Sequence, residues 1–326
     1  MRVFVAGASG ILGRRLVPQL ITAGHEVIGT HNSPTNAELL RTLGAQPVML
    51  DLLDADAVSK TILESEPDAI VHEATALANQ KFGRSLDKTF TRTNELRTTG
   101  TDALLAAARK ANVHRFVAQS FAPYRYARQG GPIKTEDDPL DPTSPPNTQQ
   151  SFAAMAYLDR AVTEFGGIAL RYGGFYGDAH DGWSELVRKR RVPIVGDGGG
   201  IFSWVHLDDA AAATVLALEH PGPAVYNIVD DEPAPMREWL PALAHALNAK
   251  PPRRFPAWLA RLVGGQAAVV IGTEVRGASN AKAKRELGWT LRYPSWRTGF
   301  PATYSAKKVT GDAKPHPAAR TDHSHS

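Results

Sequence analysis

The sequence predicts an α/β fold: a doubly wound parallel sheet carrying a small C-terminal lobe. Three observations predict it. Short apolar runs alternate with helical patterns five times over the first 120 residues. The first run ends in three glycines at G-x-x-G-x-x-G spacing, Gly7, Gly10 and Gly13. The polar and small residues that could meet a ligand, Gly7, Asp51, Ala74 and Ser120, all fall just beyond the carboxyl ends of apolar runs, where such sheets bind ligands.

Val3 to Ala6 is an apolar run that reads as a buried strand, and Leu12, Leu16, Val17, Leu20 and Ile21 then repeat at helical spacing. Strand, glycine turn and helix in this order form a dinucleotide-binding context. Gly7 lets the chain leave the strand, Gly10 lets a pyrophosphate approach the backbone, and Gly13 lets the helix pack on the strand. Ser9, Ile11, Leu12 and Arg14 complete the turn, whose free N–H groups and positive helix end suit phosphate. Glu26 to Thr30 is the second strand. An acid after it would hold a ribose 2′-hydroxyl and favour NAD, but His31, Asn32 and Ser33 stand there instead. With Arg14, these donors favour NADP, with NAD the other possibility; Arg14 also reads simply as an exposed helix residue.

Ala37 to Leu43 is a short helical pattern and Gln46 to Leu50 the third strand. Asp51, followed by Leu52, is placed to accept from an adenine amino group, while Asp54 reads as the cap of a helix over 55–65. Ala69 to Ala76 is the fourth strand, whose small residues Ala74, Thr75 and Ala76 suit a ligand contact. Asn94 to Lys110 is a long helix, and Arg115 to Ser120 a fifth strand ending in a hydroxyl. The connection from Phe121 to Gln150 is rich in Pro, Gly and acids; loops of this length commonly act as lids or stay disordered. A helix over 149–165 leads into the strand Ile168 to Tyr172, then Gly173 and Gly174. Further on, Trp183 to Arg190 is helical, Asp208 and Asp209 cap a helix through Leu218, and Val225 to Val229 is a strand. Arg237 to Asn248 and Pro256 to Val263 are helices of the smaller lobe. The expected division is a dinucleotide domain over 1–175 completed by about 204–229, a substrate lobe over 176–203 and 230–304, and a disordered tail over 305–326.

Composition narrows the function. Hydrophobic residues make up 43% and charged residues 21% of 326, ordinary for a globular chain. No apolar run has membrane length and no secretory leader precedes the first strand, so the expected location is the cytoplasm. Cysteine is absent, which excludes disulfide and thiolate chemistry. About half of the +4 formal charge sits in the tail, so no nucleic-acid surface is expected. Arg188 to Arg191 is the densest basic run and reads as a solvated helix end before it reads as an anion site. No structural metal site is expected; the tail histidines could take up metal adventitiously.

Several segments together resemble the extended and atypical branches of the short-chain dehydrogenase/reductase superfamily, relatives of the NAD-dependent epimerases and dehydratases. They are the glycine turn, Asp51-Leu52, Asn94 with Gly100-Thr101, Leu170 to Gly177, Ser203 to Asp209, and Ala283 to Trp289. The resemblance covers residues 1 to about 300 and implies a Rossmann-type domain, a small substrate lobe, and Tyr172, Gly173 and Gly174 beside the nicotinamide. In active relatives a Ser or Thr, a Tyr and a Lys carry the chemistry, with the lysine lowering the phenol pKa. Ser120 matches the first by position. Aligning the Tyr-x-x-x-Lys pair on Asp159 puts Ser151 and Met155 at its two places; aligning on Ser144-Pro145 puts Pro146 and Gln150 there. Tyr124, with Arg128 four residues on, is the first substitute acid; Tyr172, Tyr176 and His206 are others.

The expected function is an NAD(P)-dependent oxidoreductase acting on a small organic carbonyl or alcohol with a non-standard acid. The alternatives are a catalytically silent NADP-binding sensor or scaffold, and a nucleotide-sugar epimerase or dehydratase. By analogy with extended relatives, a homodimer would form through the helices around 94–110 and 149–165.

Overall fold

The computed structural model describes residues 1–77, 85–122, 126–178 and 181–305. Its centre is a seven-stranded, wholly parallel sheet. The first half is regular: β1 (Arg2–Ala6), α1 (Gly13–Thr22), β2 (Glu26–His31), α2 (Pro34–Thr42), β3 (Gln46–Met49), α3 (Ala55–Ser65) and β4 (Ala69–His72). Then come α4 (Thr91–Glu95), a π-helical turn over Leu96–Gly100, α5 (Thr101–Lys110), β5 (Arg115–Phe121), α6 (Gln149–Phe165) and β6 (Ile168–Tyr172). After α7 (Gly182–Arg188) and α8 (Leu207–Glu219), β7 (Ala224–Ile228) completes the sheet in the order β7-β6-β5-β4-β1-β2-β3. The order reverses between β1 and β4, which places the switch point, and so the ligand crevice, above those two strands.

Both faces of the sheet are covered, so its central strands are apolar on both sides. Val3, Val5, Val71, Leu170 and Tyr172 face α1 and α8. Phe4, Ile70, Phe116, Ala118 and Ala169 face α3, α5 and α6. The smaller lobe holds α9 (Met236–Ala246), α10 (Ala257–Thr273, broken at Gly265), α11 (Ala281–Leu287) and α12 (Trp296–Tyr304). Its core is aromatic: Tyr176, Phe202, Trp204, Trp239, Trp296 and Phe300 pack together.

Several expectations change in detail. The long helix begins at Thr91 and contains a π turn, whose Leu96 carbonyl accepts from His72 Nε2 at 3.2 Å. Burial lowers the His72 pKa to about 4, so the ring is neutral and serves as a donor inside the core. The cap expected from Asp208 and Asp209 comes instead from His206, whose Nδ1 accepts from the Asp208 N–H. Asp209 accepts from the backbone of Arg292 and Tyr293 and so ties the lobe to α8. The connection after β5, from Tyr126 onward, is wired down. Arg128 pairs with Asp141 and Glu274, Lys134 with Asp138, and Ile133–Lys134 forms a short ladder with Gly277–Ala278. Arg188, Lys189 and Arg191 are exposed where α7 ends, and Lys189 pairs with Glu185. No described helix is long and apolar enough to cross a membrane. The tail beyond Ser305 lies outside the described residues.

Candidate functional site

The three glycines of the first turn do different things. Gly7 has φ +91°, and a Cβ there would lie 2.6 Å from the Ala74 nitrogen. A Cβ on Gly13 would lie 2.3 Å from the Ala8 carbonyl oxygen. Both positions are closed by backbone that cannot yield. Gly10 is exposed, and a Cβ there would meet only the Gly7 carbonyl, at 3.1 Å. The turn is held by Gly7 N–H donating to Thr30 Oγ1 (2.9 Å), and by Gly10 N–H donating to the Gly7 carbonyl (2.9 Å).

The start of α1 is left electrostatically open. It has no side-chain cap and no acid in its first turn. The N–H groups of Ile11 and Leu12 have no partner among the described residues. Unpaired donors, a positive helix end and open space over Gly10 fit the pyrophosphate of a dinucleotide. Ser9 faces the same turn, and its carbonyl accepts from Arg14 Nε at 2.9 Å, which folds the guanidinium onto the loop.

At the neighbouring strand ends the polar residues already have local bonds. Ser33 caps α2, its Oγ accepting from Asn36 N–H, and the exposed Asn32 accepts from the Asn36 side chain (3.1 Å). His31 is buried at the end of β2, and the sequence places no acid between it and Glu38. Asp51 accepts from Leu53 N–H, and the exposed Arg92 donates from Nη2 to both Asp51 carboxylate oxygens, at 3.0 and 2.9 Å. Leu52 is buried, and Asp54 caps α3. Ala74, Thr75 and Ala76 are half-buried past β4, the last donating its N–H to Thr93 Oγ1 (3.1 Å).

Ser120 lies near the end of β5, 1% exposed, and by strand parity faces α6 with Phe116 and Ala118. Tyr124 lies outside the described residues. Arg128, the cation suggested for it, is held between Asp141 (3.0 Å) and Glu274 (2.7 Å), so its charge is largely spent on those acids. On α6, Ser151 Oγ donates to Asp87 Oδ1 at 2.8 Å and accepts from Asn94 Nδ2 at 3.2 Å. Met155, one turn further, is buried, and α6 contains no lysine. The first two turns of this helix therefore present a hydroxyl committed to a carboxylate and an apolar side chain.

The other suggested acids point into packing. The Tyr172 hydroxyl is buried against Thr214 (2.6 Å) and Glu73 (3.2 Å), and burial pushes its pKa well up. Tyr176 is buried in the aromatic core of the lobe. His206 stacks on Tyr293 with ring centres 3.9 Å apart, and burial lowers its pKa to about 4. Gly173 and Gly174 are required by close packing: a Cβ would lie 2.7 Å from the Ser203 carbonyl oxygen and 2.3 Å from the Phe202 ring, respectively.

Sequence reasoning missed two buried polar groups around these strand ends. One is Glu73 with Gln119 and Tyr172. The other is a chain from Asp159 through Arg171 (2.9 Å) to Tyr126 (3.1 Å) and Asn227 (2.6 Å). The usable signal was a charged residue inside or directly after an otherwise apolar strand, since a buried charge needs a partner.

With the geometry in place, comparison with known proteins gives consistent results. The model of the NAD dependent epimerase/dehydratase family matches residues 3–229. Over 313 residues the chain is 39% identical to the 3-diazoavenalumate denitrifying reductase of a Streptomyces species, covering 92% of this chain and 99% of that one. It is 27% identical to the 4-hydroxy-2-methyl-3-oxo-4-farnesyl-3,4-dihydroquinoline-1-oxide ketoreductase of Stigmatella aurantiaca, covering 98% and 100%. Among solved structures, the UDP-glucose 4-epimerase of Thermotoga maritima with UDP-glucose superposes with a TM-score of 0.75 at 22% identity, over 94% of this chain and 99% of that one. That last likeness concerns the fold alone.

Proposed function

Because the chain belongs to the NAD-dependent epimerase/dehydratase family, whose members imply an NAD(P) cofactor, we propose that it is an NADPH-dependent reductase of a small organic substrate. The observation that carries this reading is the open face over Gly10, at the uncapped start of α1, where a dinucleotide pyrophosphate fits. The absence of a carboxylate directly after β2 favours the phosphorylated dinucleotide, since a carboxylate there would hold a ribose 2′-hydroxyl and repel a 2′-phosphate. The 39% identity to a reductase supports reduction over epimerisation.

When bound, the dinucleotide supplies a hydride at the strand ends. What the chain adds is positioning and, for some substrates, a proton. Reducing a carbonyl ends on an alkoxide that must be protonated. Replacing a diazonium group by hydrogen consumes one hydride and releases N2, so it draws no proton from the protein. The start of α6, with Ser151 tied to Asp87 and Met155 buried one turn on, is poor in proton donors. This arrangement favours a substrate of the second kind, as does the diazo compound in the name of the 39% relative. The second reading, carbonyl reduction through Ser120 and Tyr124, draws on the buried Ser120 hydroxyl and on the ketoreductase relative.

Calorimetric titration with NADPH and NADH, followed by turnover of an aryl diazonium probe and a ketone probe, tests the proposal. Tight NADPH binding with N2 release from the diazonium is the expected result. Tight binding with ketone turnover alone would select the second reading. A preference for NADH would overturn the NADPH assignment, and binding without turnover of either probe would point to a sensor or scaffold. Under the second reading, Ser120→Ala is expected to lower ketone turnover at least severalfold with dinucleotide affinity unchanged; steady-state kinetics beside a binding titration checks this, and full activity would leave Ser120 a packing residue.

A further inference from the structure

Glu73 directly follows β4, at the middle of the sheet, and is 5% exposed. By parity with Ala69 and Val71 it faces the α1 and α8 layer. Its backbone supports the glycine turn. The Glu73 N–H donates to the Ala6 carbonyl at 2.8 Å, and the carbonyl carbon of Glu73 and the nitrogen of Ala74 occupy the space that a Cβ on Gly7 would need. Its carboxyl links the end of β4 to three other elements: Oε1 lies 3.2 Å from Tyr172 Oη on β6, which lies 2.6 Å from Thr214 Oγ1 on α8, and Oε2 lies 2.8 Å from the Gln119 amide on β5. These uncharged groups are what faces the carboxyl, and no cation is paired with it among the described residues.

Counting protons shows which form of Glu73 fits. The Thr214 hydroxyl donates to the Ala210 carbonyl at 2.8 Å, so toward Tyr172 it accepts. The single phenol proton of Tyr172 must then serve both the 2.6 Å and the 3.2 Å contacts. A proton on Glu73 Oε1 relieves this shortage by donating to Tyr172 Oη, while the Gln119 amide N–H donates to Oε2. An ionised carboxylate would be a buried charge without a counter-ion, which is costly. In keeping with this, burial pushes the Glu73 pKa up to about 8.

We propose that Glu73 is a positioning residue that holds the glycine turn in place in its neutral form, so that ionising it weakens dinucleotide binding. The inference rests on the reading of the turn as a dinucleotide site. Ionisation acts in two ways. It sets an unpaired negative charge on the strand end whose backbone backs Gly7, which repels an incoming pyrophosphate through the interior, and it drives the ends of β4, β5 and β6 to open toward water.

The test is the affinity for NADH, which lacks the titrating 2′-phosphate, from pH 6.5 to 9.5 for the wild-type protein and Glu73→Gln. The amide preserves shape and stays neutral. Wild-type affinity is expected to fall about tenfold as the pH crosses 8, one unit of further pKa rise on binding corresponding to that factor. Glu73→Gln should keep the neutral-pH affinity throughout. Parallel profiles for the two proteins, or a flat wild-type profile, would overturn the inference and leave the dinucleotide reading intact. Absence of binding of both NADH and NADPH at every pH would overturn both. If Glu73→Gln does not fold, infrared difference spectra of the wild-type protein give the same information. A protonated-carboxyl band that disappears with the midpoint of the affinity loss supports the inference, and an affinity loss without such a band removes it.

Discussion

Gly10→Asp is expected to fold normally and to lose dinucleotide affinity by at least about a hundredfold, as anionic repulsion and steric blocking act together. The space in front of Gly10 is open, its φ is not positive, and the nearest atom to an added Cβ is one carbonyl oxygen at 3.1 Å. The side chain would therefore extend where the pyrophosphate approaches, and its charge would occupy the unpaired N–H groups of Ile11 and Leu12. Gly13→Val provides the contrast. Its Cβ would collide with the backbone of Ala8, so that variant should fail to fold rather than fail to bind. Thermal unfolding and calorimetric titration of both proteins separate the two effects. Unchanged affinity in a folded Gly10→Asp protein would refute the phosphate role of the turn.

Arg171→Met is expected to destabilise the protein by about 3–5 kcal/mol, the usual cost of stripping one partner from a buried ion pair. Arg171 is buried on β6, with Nε 2.9 Å from Asp159 Oδ2 on α6 and Nη1 3.1 Å from Tyr126 Oη. Its removal leaves the Asp159 carboxylate in the interior without its guanidinium. It also loosens Tyr126, which donates to Asn227 on β7 at 2.6 Å. The double variant Arg171→Met with Asp159→Leu should recover most of the loss, because no charge then remains to be solvated. Urea unfolding of the two single variants and the double variant measures the coupling. Equal stabilities of Arg171→Met and the wild-type protein would show that the pair is dispensable.

The parts of the fold legible in the sequence were those set by short-range rules. The strand and helix of the glycine turn, the helix over 149–165, the strand over 168–172 and the Asp54 cap all follow from apolar period, glycine placement and a capping side chain. The parallel sheet followed from their alternation. Where two roles competed for one side chain, local sequence could not choose. Ser33 suits a phosphate or a helix cap, and in the fold it caps α2. Asp51 also meets Arg92, forty-one residues away, a partner the local sequence does not show. Arg128 follows Tyr124 by four residues, yet the folded connection gives it to Asp141 and Glu274.

By itself, then, the sequence determined the strands and helices that build the parallel sheet, and the glycine turn, because each depends on neighbours a few positions apart. Only the tertiary structure decided what each polar group on that frame does. Glu73 meets Tyr172 ninety-nine residues later, and Tyr126 meets Asn227 one hundred and one residues later. Whether a buried carboxyl is paired, shared or protonated depends on the partners that burial brings to it, and no local pattern in the chain records them.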